Sequence, residues 1–398
     1  MKRSTERILT THVGSLARPE SLIPLLRSKE RGQPYDQETF AKLVRDAVAD
    51  VVRRQTEAGV DIVTDGEQGK ASFFGYIVER FNGFARTLAP AGQEGNPRGA
   101  GREYRAFPDY YAWSERIAEW AGGRGGDRRY GIDVCTGPVS YKGHTAVQRD
   151  IENIKTALKG LRHEEVFMPA IAPSYLFATL TNTFYRTDEE YEQALADALR
   201  EEYRAIVDAG FVLQVDDPRL VTQYMMNPDL SVADCRKWAA KRVEAINYSL
   251  RGIPPEKVRF HTCYSIDVGP RLYDMELKDI ADIILKIDAG AYSFEAANPR
   301  HEHEYRVFEQ FRPADGKILI PGVISHTTNL VEHPELIAER IVRFAKIVGR
   351  ENVIAGADCG FAASAVRFND THPSIAWLKF AAMAEGARLA TRQLWGRA

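Results

Sequence analysis

The sequence predicts an α/β fold, a (β/α)8 TIM barrel, on two observations. Short apolar runs alternate with longer amphipathic stretches, and the alternation occurs eight times along 398 residues. Strands of a parallel sheet are covered on both faces and so read as near-continuous apolar runs. The runs, in order, are "RILTTHVGS" (7–15), "VDIVTDGE" (60–67), "EVFMPAIAPS" (165–174), "FVLQVDDP" (211–218), "VRFHTCYS" (258–265), "AYSFEAAN" (291–298), "KILIPGVISH" (317–326) and "NVIAGADCGF" (352–361). Between them, 36–59 and 187–210 have helical periodicity and end in Ala-Gly, as helix C-termini do, and 333–352 has the same form. A single barrel over 1–398 is expected.

One segment breaks the rhythm. Residues 69–145 form an excursion after the second strand, rich in Gly, Arg and aromatics, and close with a ninth strand-like run, "GIDVCTGPVS" (131–140). It reads as a packed flap or a homo-oligomer surface, with a substrate lid as the other reading.

Composition excludes several classes. The 53 basic and 55 acidic residues leave a formal charge of −2, so no field for nucleic acid exists. No run of about 18 apolar residues occurs, which argues against a membrane span. The N-terminal stretch lacks a signal-like apolar segment, and a cytoplasmic protein is expected. Four cysteines are too few for a disulfide framework. Cys135 and Cys235 lie in apolar or helical runs and read as core thiols.

In a barrel of this kind the functional face lies at the C-terminal strand ends. Those ends carry His12 and Ser15, Asp65 and Glu67, Asp216 and Asp217, His261 and Cys263, Glu295, His326, and Asp358 and Cys359. Strand periodicity puts His261 and Cys263 on one side of their strand. Two thiols, an imidazole and the Glu295 carboxylate suit a tetrahedral Zn²⁺ with one exchangeable position. The plain alternative is that His261 and Cys263 are satisfied core residues. For Glu67, Asp217 and His12 the plain alternative is an internal network below the site.

The motifs "TTHVGS", "DGE", "QVDDP", "HTCYS", "FEAANPR", "PGVISHTTN" and "GADCGF" occur in the order and at the strand ends that resemble the catalytic barrel of cobalamin-independent methionine synthase, over roughly residues 8–365. That family lies within the uroporphyrinogen decarboxylase-like superfamily. The resemblance implies zinc held by His261, Cys263, Glu295 and Cys359. It implies that Gly14, Ser15, Glu67 and Asp216, with His12 beside them, grip an amino-acid thiol, and that His326 and Asp216 serve the chemistry. The implied enzyme is a zinc-dependent methyltransferase in which homocysteine, as a zinc-bound thiolate, attacks a small-molecule methyl or alkyl donor.

The sequence also departs from that family. It has one barrel's length, whereas the synthase has a second, N-terminal half. "TGPVS" continues as "YKGHTAVQRD" where the synthase carries a folate-stacking tryptophan. A donor other than polyglutamylated methylfolate is therefore expected, with its pocket rebuilt by the excursion. Three other readings stand beside this one: an epoxide:coenzyme M-type thiol transferase using Arg18 or Arg219 for a sulfonate, a metal-free decarboxylase, and a non-enzymatic zinc or thiol-binding protein.

Overall fold

The computed structural model describes residues 1–88, 101–120, 131–264, 269–365 and 371–396. Eleven strands follow in chain order: β1 Leu9–Thr10, β2 Ile62–Val63, β3 Phe81–Leu88, β4 Gly131–Tyr141, β5 Glu165–Ile171, β6 Thr181–Asn182, β7 Val212–Asp216, β8 Val258–His261, β9 Ala291–Phe294, β10 Ile318–Ile324 and β11 Ile354–Ala357. Eight of them form one sheet in the order β1-β11-β10-β9-β8-β7-β5-β2. Every neighbouring pair is parallel. A parallel bridge between Thr11 and Ile62 joins the two ends, so the sheet closes into a barrel. Each expected strand run contains one barrel strand.

Helices follow the strands because their sequences carry both an apolar stripe and a start signal. Gln37–Glu57 is capped by Asp36, which accepts from the amides of Glu38 and Thr39. Asp188–Asp208 is capped by Thr187, and Val232–Leu250 opens with a reciprocal Ser231–Asp234 capping box. These helices pack around the ring together with His144–Ala157, Pro334–Val348 and Pro373–Trp395. Among the described residues after β8 and β9, the short α-helical turns Ala281–Ile284 and Val307–Gln310 take the helix position.

Inside the ring, Leu9, Ile62, Phe167, Val212, Ala291, Ile318, Ile320 and Ile354 form a closed apolar layer. Every barrel strand but β8 contributes to it. β8 instead sends in Arg259, whose guanidinium lies 3.6 Å from the centre of the Phe167 ring. It donates to Gln214 Oε1 at 2.7 Å, to Thr11 Oγ1 at 2.9 Å and to the His12 carbonyl. Burial lowers the pKa of this guanidinium to about 9. A fixed cation thus floors the functional end of the barrel.

The excursion leaves the barrel after β2 and returns at His144–Ala157. Its ninth strand-like run is β4, which pairs antiparallel with β3 and parallel with β6 in a separate three-stranded sheet. "TGPVS" therefore lies outside the barrel, and the position compared with a folate-stacking tryptophan is not on a barrel strand. At the excursion's root Arg80 is buried and pairs with Asp150 and Glu202, on two outer helices, while Tyr141 donates to Glu202 at 3.1 Å. Its helix Arg102–Ala106 rests on the C-terminal ends of the barrel. Arg102 donates to the carbonyls of Tyr224 and Leu230 beyond β7, and Glu103 accepts from the Tyr273 amide beyond β8 at 2.7 Å. That placement overhangs the functional face, as a lid would. Cys135 and Cys235 are fully buried. Among the described residues no helix is long and apolar enough to cross a membrane.

Gly322 lies in β10 at a register shift against β11. A Cβ there would lie 2.7 Å from the backbone N and Cα of Asp358, and closer still to its carboxylate. Gly322→Ala is expected to cost about 3 kcal/mol in a thermal or denaturant melt. An unchanged melt would contradict this packing.

Candidate metal centre and substrate pocket

β8 ends at His261, and the next two residues are fixed by their neighbours. Thr262 donates its amide to the Ser293 carbonyl at 3.0 Å and its hydroxyl to the Asp217 carbonyl at 2.8 Å. Cys263 then faces Cys359, which follows β11, with Sγ to Sγ 3.1 Å and both thiols free. The ligand atoms of His261, Cys263 and Cys359 all lie within 4.8 Å of one another, and all three residues are buried.

These residues fit a soft divalent cation. His261 Nδ1 is 3.3 Å from Ser293 Oγ, while buried Nε2 has no hydrogen-bond partner. Burial, then Arg259 and His326, lowers the His261 imidazole to about 3, so it stays neutral, as a metal ligand must be. The Cys359 thiol is pushed well above its usual range by Cys263 and by burial. Crowded against Cys263, the Cys359 thiol resists ionising until a cation offsets its charge.

Glu295 lies outside that group of three. Its Oε1 accepts from the Tyr264 amide at 2.8 Å, and its Oε2 accepts from Arg271 Nη2 at 2.9 Å and Asn298 Nδ2 at 2.7 Å. Burial lifts its carboxyl to about 7, with Arg271 opposing and Asp358 adding to the rise. Asp358 itself accepts from the amides of Ala296 and Ala297, both at 2.8 Å, and so shapes the turn after Glu295.

Of the residues expected at the substrate, Gly14 and Ser15 lie beside the strand end that carries Cys359. A Cβ at Gly360 would run into the Ser15 hydroxyl, and the Phe361 amide donates to the Ser15 carbonyl at 3.0 Å. The Gly14-Ser15 loop therefore abuts the residue after Cys359. Gly14 has φ +137, with Pro169 against its open side, a conformation that favours glycine. Glu67 also has positive φ, +56, a strained backbone for a side-chain-bearing residue. Its Oε2 is buried without a hydrogen bond, 3.7 Å from Arg18 Nη2. Asp216 accepts from Gln214 Nε2 at 2.8 Å. Burial, then the Glu67 charge, holds the Asp216 carboxyl well above its usual range, while Arg259 and Lys70 pull the other way. Glu67 and Asp216 thus form a buried pair of acids whose desolvation outweighs the pull of Arg18, Arg259 and Lys70.

Two of the expected residues turn inward. His12 accepts at Nδ1 from the Gly14 amide at 3.3 Å and donates from Nε2 to Gln55 Oε1 at 2.8 Å. The same Gln55 oxygen accepts from the Thr64 amide at 3.0 Å. Both ring nitrogens are engaged within the protein, the arrangement of the internal-network alternative for His12. Asp217 accepts from Ser174 Oγ and from the amides of Arg219 at 2.8 Å and Leu220 at 3.3 Å, the first two residues of the helix Arg219–Met226. His326 is buried at the end of β10, close enough for its charge to act on His261. Sequence reasoning missed Lys70, which donates to the Pro169 carbonyl at 2.9 Å and opposes the acids. It also missed Arg259, although a charge inside an apolar strand was a visible signal. Arg271 gave none.

Known proteins resemble this chain in sequence and in fold. The chain is 24% identical over 389 residues to methionine synthase of Thermococcus kodakarensis, covering 97% of this chain and 94% of that one. It is 25% identical over 355 residues to methionine synthase of Sulfolobus acidocaldarius, covering 88% and 85%. A one-barrel length is therefore shared with the proteins it matches. In fold it resembles a B12-independent methionine synthase from Shewanella sp. W3-18-1, with a TM-score of 0.71 at 19% identity, covering 98% of this chain and 99% of that one. The family model of the cobalamin-independent synthase catalytic domain matches residues 8–93 and 177–382, skipping much of the excursion. Since that match spans more than half of the chain, the protein belongs to the cobalamin-independent synthase catalytic-domain family.

Proposed function

We propose that the protein is a methionine-synthase-like methyltransferase acting on the sulfur of homocysteine, with zinc as its metal. One observation carries the reading: the His261, Cys263 and Cys359 ligand atoms lie within 4.8 Å of one another, in a chain of this family. Zinc held by these three, with Glu295 as candidate fourth ligand, would supply a Lewis acid that keeps an incoming thiol ionised at neutral pH.

The chain's own residues do the rest. Asp216 and Glu67 bind the substrate ammonium, because two desolvated acids gain most from a cation brought between them. The Gly14-Ser15 loop takes the substrate carboxylate next to Cys359. In the transfer the thiol has given its proton to solvent and sulfur forms a bond to the methyl carbon. The bond from carbon to the donor breaks, and the electron pair leaves with the donor. His326 hands a proton to the departing donor atom. The helix Arg102–Ala106 overhangs the mouth and excludes water from the transfer. The donor differs from polyglutamylated methylfolate, since the excursion reshapes the entrance.

Arg18 argues against a sulfonate thiol. It spends its donors on the carbonyls of Leu16, Ala362 and Lys70 and faces Glu67, so it offers little to an anion. The buried acids Asp65, Glu67 and Asp216 suit a cationic group better than a decarboxylase's polycarboxylate. The test is methyl transfer by the full-length protein with homocysteine or coenzyme M, against methylfolates, methylcorrinoids and other methyl donors. Methionine formation that falls at least about a hundred-fold in His326→Gln is expected. Preference for coenzyme M would overturn the acceptor, and rapid turnover with polyglutamylated methylfolate would overturn the donor.

A further inference from the structure

The excursion and the metal centre meet at one arginine. Arg271 has φ +52, an uncommon backbone for a non-glycine residue. Its Nη2 donates to Glu295 Oε2 at 2.9 Å and its Nε to Asp274 Oδ2 at 3.1 Å. Asp274 also meets His301 Nε2 at 3.0 Å, and His301 Nδ1 meets Glu304 Oε2 at 2.7 Å. The His301 ring stacks on Tyr264 at 3.8 Å, beside Cys263. This network of acids and cations is buried, and its links run away from the thiol pair. Glu295 is its nearest member to that pair: its amide partner is the residue after Cys263, and its charge acts on Cys359.

The same loop is gripped from the excursion side. Glu103 accepts from the amide of Tyr273, two residues after Arg271, at 2.7 Å, and the Phe107 ring approaches the Tyr273 ring at 6.3 Å. On its other side Arg300 donates to the Leu272 carbonyl at 3.2 Å. Arg271 is thereby fixed where its guanidinium occupies an oxygen that a metal would need.

We propose that Arg271 is a positioning residue that competes with the metal for Glu295, and that the helix Arg102–Ala106 holds it in that role through Glu103. The inference rests on the zinc reading above. Its chemical sense is that a site denied its carboxylate keeps one position for the substrate sulfur. A bidentate-capable guanidinium is a strong rival for a buried carboxylate, and releasing the pair frees Glu295 for a cation held by the neighbouring thiols.

The experiment is a zinc titration of the full-length, reduced protein against a chromophoric chelator, in a double-mutant cycle with each variant's fold checked by melting. Arg271→Gln is expected to tighten zinc about ten-fold, and to do nothing in a Glu295→Gln background. Glu103→Ala leaves Arg271 intact and frees only its loop. It is expected to tighten zinc several-fold, again only when Glu295 is present. Equal shifts in both backgrounds, or weaker zinc binding in Arg271→Gln, would overturn the competition. No shift in Glu103→Ala would remove the excursion from it. Absence of zinc from the reduced wild-type protein is a separate result, which removes the zinc reading itself.

Discussion

Replacing Cys263 or Cys359 by serine is expected to strip the protein of zinc, from one ion per chain to almost none. A serine hydroxyl does not ionise near neutral pH and is a poor ligand for this metal. The loss should exceed the roughly 10–100-fold that follows from losing a supporting partner of a ligand. Elemental analysis of the purified variants checks it. Cys135→Ser and Cys235→Ser, whose thiols are buried away from the site, should keep the ion, although both will melt earlier. Stoichiometric zinc in both site variants would show that the 3.1 Å thiol pair is not the metal's seat.

Asp216→Asn is expected to cost homocysteine about 2–5 kcal/mol of binding, the range for removing one partner of a buried charge pair. That is at least about thirty-fold in affinity. A thiol of the same length without the amino group should lose little, because the variant no longer desolvates an acid for nothing. The free protein holds the Asp216 carboxyl well above its usual range, and an arriving ammonium favours its ionised form. Homocysteine should therefore release more protons than the des-amino thiol does, a difference that calorimetry in two buffers of different ionisation enthalpy would reveal. Equal losses for the two thiols, or equal proton release, would move Asp216 out of the ammonium site.

Much of this site was legible because a parallel barrel collects its chemistry at strand ends, and polar letters after apolar runs mark those ends. His261, Cys263 and Cys359 were found that way. Glu295 was found as a residue but not in its conformation, because its partner Arg271 sits in a loop with no periodicity of its own. The adjacent aspartates show a sharper limit. Asp216 and Asp217 are the same letter twice, yet one accepts from Gln214 and the other from the amides that open the helix Arg219–Met226, a split the two letters do not announce. His12 follows the same logic, since only the fold brings Gln55 within reach of its ring. β3 escaped because "FNGFARTL" mixes glycine and charge, and its partner β4 read as strand without saying which sheet it joins.

The two sulfurs come from strands that are far apart in the order of synthesis. Cys359 follows β11, the strand that pairs with β1, and the ring is complete only when β11 arrives. A nascent chain that has released Cys263 but not the last quarter of the barrel owns half a chelate and no pocket. An ion that binds only the finished ring, as the proposed zinc would, pulls the whole assembly toward completion by mass action. Metal starvation would then act as a folding defect: the last strand would fray from the first, opening the barrel at its seam between β11 and β1.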